Sequence, residues 1–421
     1  MFTSIVGASL NVQAQDQQDL KQKLGIIVRP GGIQRLGVAD FLLRTGASQP
    51  DVNTFNEVLA GDLQFAGLID IVGKSLYPKV GLASPVELKI EEWNADPARL
   101  DYLAFGQIKG DGVEAYLYDV KTRSGLIEKT YRGTSIRQLA HQFADEILKK
   151  LFNIDGIATS KIAYTTSKEI MVMDYDGFGQ RVLIRDGSYA ILPSLSPDGS
   201  KVAYISYKTT RPTIEVHSAN DGLPYSFATP PRGTVSSPQF SPDGSLMAYA
   251  CSKDSDAMEI YISTTDGNRP RRLTNNRGII DTSPRWNPKT GQQISFISDR
   301  SGTPQIYIMD LDGSNVQRVL THGGQADAPA WSPDGQFIAY TWRPAGAGSS
   351  DIYVLDVASG QILQLTSSNG GNEAPSWAPD SRHIAFQSNR TGRWEVWIMN
   401  IDGTGEKQVS KGGGRSPSWS R

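Results

Sequence analysis

One phrase recurs six times along the C-terminal two-thirds of the 421-residue chain, and its spacing limits the fold more than any other feature. The copies are Pro193-Ser-Leu-Ser-Pro-Asp-Gly, Pro238-Gln-Phe-Ser-Pro-Asp-Gly, Pro284-Arg-Trp-Asn-Pro-Lys, Pro329-Ala-Trp-Ser-Pro-Asp-Gly, Pro375-Ser-Trp-Ala-Pro-Asp and Pro417-Ser-Trp-Ser. Successive first prolines stand 45, 46, 45, 46 and 42 residues apart. A self-similar period of that length is one blade of a β-propeller.

Each copy also says how it folds. The leucine or aromatic residue two places after the first proline is a core-facing strand position. The Pro-Asp-Gly that follows supplies a preset φ, a side-chain acceptor and a residue free to take positive φ, which together make a tight turn. A second strand should come next, and Val202-Ala-Tyr204, Met247-Ala-Tyr249, Ile294-Ser-Phe296, Ile338-Ala-Tyr340 and Ile384-Ala-Phe386 share one order of apolar, small and aromatic residues. A third strand is marked by aliphatics two apart, Ile170/Val172, Ile214/Val216, Ile260/Ile262, Ile306/Ile308, Ile352/Val354 and Val396/Ile398, a period that buries one face. Each pair runs into a hairpin turn on Gly177, Gly222, Gly267, Gly313, Gly360 or Gly403. An outer strand such as Arg272-Leu-Thr274 or Leu363-Gln-Leu365-Thr366 completes the blade.

The two ends of the array complement each other. Lys161-Ile-Ala-Tyr164 is a second strand with no proline phrase before it, and Pro417-Ser-Trp419-Ser is a first strand with nothing after it. The C-terminal strand is therefore expected to enter the first blade as its innermost strand and close a six-bladed ring without open sheet edges. The expected fold is α+β multidomain: a small N-terminal α/β domain over residues 24–155, then the propeller over 157–421.

The front part shows no repeat. Leu24-Gly-Ile-Ile-Val28 reads as a strand, and Phe55, Val58, Leu59 and Leu63 fall at helical spacing with Asn53 and Thr54 as caps. Strands are expected over Tyr102–Ile108, Val113–Val120 and Leu126–Tyr131. Ile136, Leu139, Phe143, Ile147, Leu148 and Leu151 make one face of a long helix. At the start, Val12-Gln13-Ala14 has the small-residue spacing of a signal-peptidase site, so residues 1–14 read as a signal-peptide remnant and 15–23 as a flexible tail.

Charge and chemistry exclude several classes. With 42 Lys+Arg against 44 Asp+Glu the chain has no global field to hold a polyanion or an anionic membrane surface. The single cysteine, Cys251, ends an apolar run and reads as a buried thiol without a partner cluster. There is no Gly-x-Ser-x-Gly elbow, Walker loop or His-Glu-x-x-His. The four histidines, His141, His217, His322 and His383, lack metal-ligand spacing. Asp174-Tyr-Asp-Gly177 and Asp310-Leu-Asp-Gly313 resemble the opening of a calcium loop but lack its glutamate and fall on the repeated hairpin turn. No catalytic residue, resident cofactor or metal is assigned; calcium in the channel stays an open alternative.

What remains is the channel mouth, where the segments leading into the innermost strands converge from all blades. Counting back from each proline brings Thr234, Ser236, Asp281, Thr282, Asp327, Glu373 and Arg415 into one ring, a mixed set suited to hydrogen bonding an inserted peptide. The alternative is a set of solvated loop residues.

With the repeats in place, the chain resembles the periplasmic TolB family of the Tol-Pal system. The resemblance rests on the Pro-x-Trp-Ser-Pro-Asp-Gly repeats with Ile-Ala-Tyr, preceded by an α/β domain, the helix His141-Gln-Phe-Ala-Asp-Glu-Ile-Leu-Lys-Lys-Leu151, Gly156 and Lys161-Ile-Ala-Tyr164. It implies a secreted, non-catalytic envelope protein that binds the peptidoglycan-associated lipoprotein Pal at the channel mouth and TolA through the start of the mature chain; nothing in the sequence suggests more than a monomer. On this sequence that start is Gln15, Asp16, Gln17, Gln18, Asp19 and Leu20. The family maintains outer-membrane integrity during cell division, other outer-membrane lipoproteins are further partners, and bacteriocins exploit it. Two rivals are the propeller of a prolyl-oligopeptidase-like peptidase, which needs an α/β-hydrolase domain, and a metal-dependent propeller lyase or hydrolase, which needs histidines at the mouth.

Overall fold

The computed structural model describes residues 33–166, 168–319, 321, 323–346, 348–367 and 370–420. The expected strand at residues 24–28, the signal-like start, the N-terminal tail and His322 lie outside them. The chain divides into two compact units, residues 26–159 and a unit containing Ser160–Arg421.

In the first unit, β1 (Arg35–Val38), β2 (Leu42–Leu43), α1 (Gln49–Ala66), β3 (Asp70–Ile71), α2 (Ile90–Asn94), β4 (Tyr102–Lys109), β5 (Gly112–Asp119), β6 (Ser124–Tyr131) and α3 (Ile136–Phe152) follow in order. The sheet runs β3-β1-β4-β5-β6, with β2 also on β4. The pairs β1–β3 and β1–β4 are parallel, whereas β4–β5 and β5–β6 are antiparallel hairpins. The three later strands and the amphipathic helix stand where the hydrophobic pattern puts them. Leu139, Phe143, Ile147 and Leu148 are buried on α3, and Phe41 lies against Phe55 with ring centroids 4.5 Å apart.

The start of α1 corrects the expectation. Asn53 and Thr54 sit inside the helix, and Ser48 is the N-cap: its hydroxyl accepts from the Asp51 amide while the Asp51 carboxylate accepts from the Ser48 amide. This reciprocal capping box, with Pro50 in the first turn, satisfies amides that have no partner within the helix.

The second unit is a closed ring of six four-stranded antiparallel sheets. Blade 1 holds Lys161–Thr165, Glu169–Asp174 and Arg181–Arg185, and its innermost strand is the C-terminal Arg415–Ser420. Blade 2 begins at Ala190, blade 3 at Val235, blade 4 at Asp281, blade 5 at Gln325 and blade 6 at Asn372. Closure is direct: Trp419 pairs with Ile162 and Ser418 with Ala163.

The core lies between blades, and the apolar-small-aromatic order explains why. On the second strand of blade 2, Val202 and Tyr204 pack against Ile170, Val172 and Ile184 of blade 1. The intervening Ala203 belongs to the next cluster, with Phe240 and Tyr249 of blade 3. Alternating large and small side chains let successive sheets interlock across one seam and approach closely across the next. The seams are tied by hydrogen bonds as well. The Trp286 indole donates to the Gln239 carbonyl of blade 3 at 3.2 Å, and the Trp377 indole to the Ala330 carbonyl of blade 5 at 2.9 Å.

The hairpin glycines serve the same seams. Gly313 has φ +90°, and a Cβ there would sit 2.5 Å from the Leu273 carbonyl oxygen of the preceding blade. Gly177 meets the Val409 carbonyl of blade 6 in the same way. Positive φ and a close neighbour together demand glycine.

Candidate functional site

Every innermost strand breaks its ladder at one place. The residue before each first proline, Leu192, Ser237, Ser283, Ala328, Ala374 or Ser416, has φ between 47° and 54°. Beside it the register shifts, between Ile191 and Ser194, Ser236 and Gln239, Thr282 and Arg285, Asp327 and Ala330, Glu373 and Ser376, and Arg415 and Ser418. A non-glycine residue in the left-handed region costs about 1–3 kcal/mol, and a following proline narrows its choices further. A bulge opposes two residues to one on the partner strand and bends its strand. Here all six left-handed residues line one cavity of about 540 Å3 at the mouth of the channel.

Four of the seven residues named from sequence share this cavity: Ser236, Thr282, Asp327 and Glu373. The other three stand elsewhere. Asp281 is fully buried; both carboxylate oxygens accept from the Arg300 guanidinium at 3.1 Å, and Asn276 donates to it at 3.0 Å. Thr234 is exposed and its backbone bridges to Ser252. Arg415 is exposed and lays its guanidinium over the Trp394 ring, 5.3 Å from the centroid. The tail residues from Gln15 to Leu20 lie outside the described residues.

The polar groups of the cavity are held to different degrees. Glu373 is fixed by three donors, Ser350 at 2.6 Å, Gln387 at 3.0 Å and Arg343 at 3.3 Å. Asp327 faces the channel and accepts from the Ala328 amide at 2.7 Å. The enclosing wall desolvates its carboxyl and pushes its pKa up, an effect opposed by the Ala328 amide, reinforced by Glu373 and opposed again by Arg285 and Arg343. Arg285, which sequence reasoning did not single out, also lines the cavity. Its desolvated guanidinium is pushed down to about 10, with Asp327 working the other way, so it stays charged at neutral pH. Its signal was present in the repeat: the residue between the proline and the core position is Ser194, Gln239, Arg285, Ala330, Ser376 and Ser418 in turn, and one of these is charged.

The three described histidines are engaged elsewhere. His141 bonds Asp62 at 2.7 Å, His217 the Gly222 carbonyl at 2.8 Å and His383 Asp380 at 2.6 Å. Asp310 is bonded by Asn315 across its own hairpin. Among the described residues no group of three or more His, Cys, Asp or Glu side chains converges to hold a metal ion. Cys251 is fully buried, and desolvation raises its thiol pKa. No described helix is long and apolar enough to cross a membrane.

A ring of six four-stranded blades closed by its own last strand defines the class of six-bladed β-propellers. Residues 148–421 match the family model for the TolB beta propeller domain, and the chain belongs to that family. It is similar to the Tol-Pal system protein TolB of Anaeromyxobacter dehalogenans strain 2CP-C, 34% identical over 245 residues that cover 55% of this chain and 54% of that protein. With the corresponding protein of Bordetella parapertussis it shares 33% identity over 253 residues, 58% of this chain and 56% of that one. The chain thus spans about half the length of the curated relatives it matches. The crystal structure of TolB from Acinetobacter baumannii superposes with a TM-score of 0.76 at 26% identity, over 94% of this chain and 98% of that one. A nidogen/laminin structure at 11% identity and a TM-score of 0.50 shares the fold alone.

Proposed function

We propose that this chain is a non-catalytic periplasmic scaffold of the Tol-Pal system. In this reading Pal docks at the channel mouth, TolA takes up the N-terminal tail from Gln15 to Leu20, and the assembly supports outer-membrane integrity and constriction during division. The observation that carries the reading is the convergence of Ser236, Thr282, Asp327 and Glu373 on one cavity, in a chain whose relatives are named Tol-Pal system proteins. Six bulges place backbone and short side chains around a concave mouth, the surface an inserted peptide loop needs. The mixed donors and acceptors favour a polar segment, and Glu373 is already oriented by its three partners, so little ordering is left to binding.

Calorimetric titration of the chain with the Pal-type lipoprotein domain of the same organism tests the reading. Saturable binding supports it. A folded protein that takes up none of that domain overturns it.

A further inference from the structure

Arg285 lies where two openings of the propeller meet. It lines the mouth cavity of about 540 Å3, and among the described residues it is the only charged one lining a second opening of about 370 Å3 on the side of the Pro-Asp-Gly turns. The second opening is walled by turn prolines such as Pro242 and Pro333 and by the strand tryptophans, among them Trp331 and Trp377. Its guanidinium thus borders both spaces, with surrounding walls that desolvate it.

Its hydrogen bonding is unfinished. Nη1 donates to the carbonyl of its own neighbour Pro284, at 3.0 Å. Among the described residues it has no ion pair. Arg272, Arg300 and Arg390 of the ring do have one, with Glu259, Asp281 and Glu406. A guanidinium carries five N–H donors; Arg285 is half-buried, and the donors it does not spend on Pro284 open into the channel space, where an entering acceptor can reach them.

We propose that Arg285 is the anchor for a carboxylate on the segment that enters the channel, an inference that rests on the mouth being a peptide-binding site. Planar fork geometry matches a carboxylate, which takes two parallel N–H bonds. Asp327 and Glu373 line the same cavity, and their charge disfavours a dianion such as phosphate more than a carboxylate. The inserted segment is therefore polar at the rim, where Ser236 and Thr282 meet it, and acidic at its tip.

The test uses the full chain and a display library of random short peptides, from which the tightest binder is taken as probe. The expected probe carries an Asp or Glu whose replacement by the amide weakens binding to the native chain about tenfold or more. The same replacement has little effect against Arg285→Gln, because the partner of the carboxylate is already gone. Amidating the probe's C-terminus shows whether a chain-end carboxylate is used instead of a side chain. Arg285→Lys, which keeps the charge and loses the fork, retains part of the affinity, and thermal melting of both variants checks that they fold. A probe that loses affinity in the Thr282→Ala variant but contains no essential carboxylate overturns the proposal and leaves the mouth as a peptide site. Failure of the folded chain to capture any peptide overturns both.

Discussion

The indole Nε1 of Trp419 donates to the hydroxyl of Ser160 at 2.7 Å, joining residues 259 positions apart in the chain. Around this bond the last strand enters the first blade: Trp419 pairs with Ile162, the Ser418 hydroxyl accepts from the Leu195 amide of blade 2, and the Trp419 amide donates to the Ser376 hydroxyl of blade 6. The final strand thus contacts both neighbouring blades, and the ring is held shut by a segment that no other strand can replace.

Deleting the chain from Ser416 onward should therefore unfold the ring cooperatively rather than fray one end. The deletion removes the buried Trp419 side chain and exposes sheet edges on both sides of the gap. A loss on the order of 5 kcal/mol or more is expected from the tryptophan cavity and the missing ladder, read as a large fall in the denaturation midpoint. A truncated chain that melts with the full one would contradict closure by this strand.

Two hairpin glycines should respond unequally to the same change. At Gly313→Ala the new Cβ meets the Leu273 carbonyl oxygen at 2.5 Å, on top of a φ of +90°. At Gly360→Ala the φ is +72°, but nothing among the described residues lies within 4 Å of the added atom. Both variants bear left-handed strain, and only the first bears a backbone clash, which adds about 1–3 kcal/mol. Denaturant titration of the pair measures the difference; equal losses would show that the seam between blades 3 and 4 yields to the added atom.

Asp327 gives a pH signature of defined sign. Desolvation raises its folded pKa above the unfolded value, so between the two the folded state holds more protons than the unfolded state. Stability then falls as pH rises through that window and stays reduced above it. Asp327→Asn removes the penalty: the variant should be at least as stable as the native chain at neutral pH, with its advantage shrinking as the pH drops below the raised pKa. Melting points across an acidic pH series check this. An advantage that grows toward low pH would contradict it.

The repeats made most of the propeller legible, because a turn motif, an apolar-small-aromatic strand and a period-two strand recur at blade length with complementary ends. The site was legible only in part. Counting back from each proline finds the mouth, but the bulge before every proline shifts the register by one residue, and that decides which side chain turns inward. Thr282 lines the cavity, whereas its neighbour Asp281 turns into the wall. The charge that keeps Asp281 there comes from Arg300, on the loop after the second strand, and no local pattern announces that pair. Arg285 was hidden for the opposite reason: it stands at a variable position inside a conspicuous phrase and was read as part of the repeat. The start of α1 was missed because Asn53 and Thr54 have cap chemistry, while the capping box at Ser48 lies one turn earlier.

On the proposed function, Pal binds at the mouth ringed by the six bulges. The most direct measurement is calorimetric titration of the same Pal-type domain into the native chain and into a variant carrying Thr282→Ala and Asp327→Asn, with melting curves confirming that the variant is folded. The account predicts saturable binding to the native chain, weakened about tenfold or more in the variant as two polar contacts are lost. Undiminished affinity in the folded variant would place the partner on another surface and contradict the account.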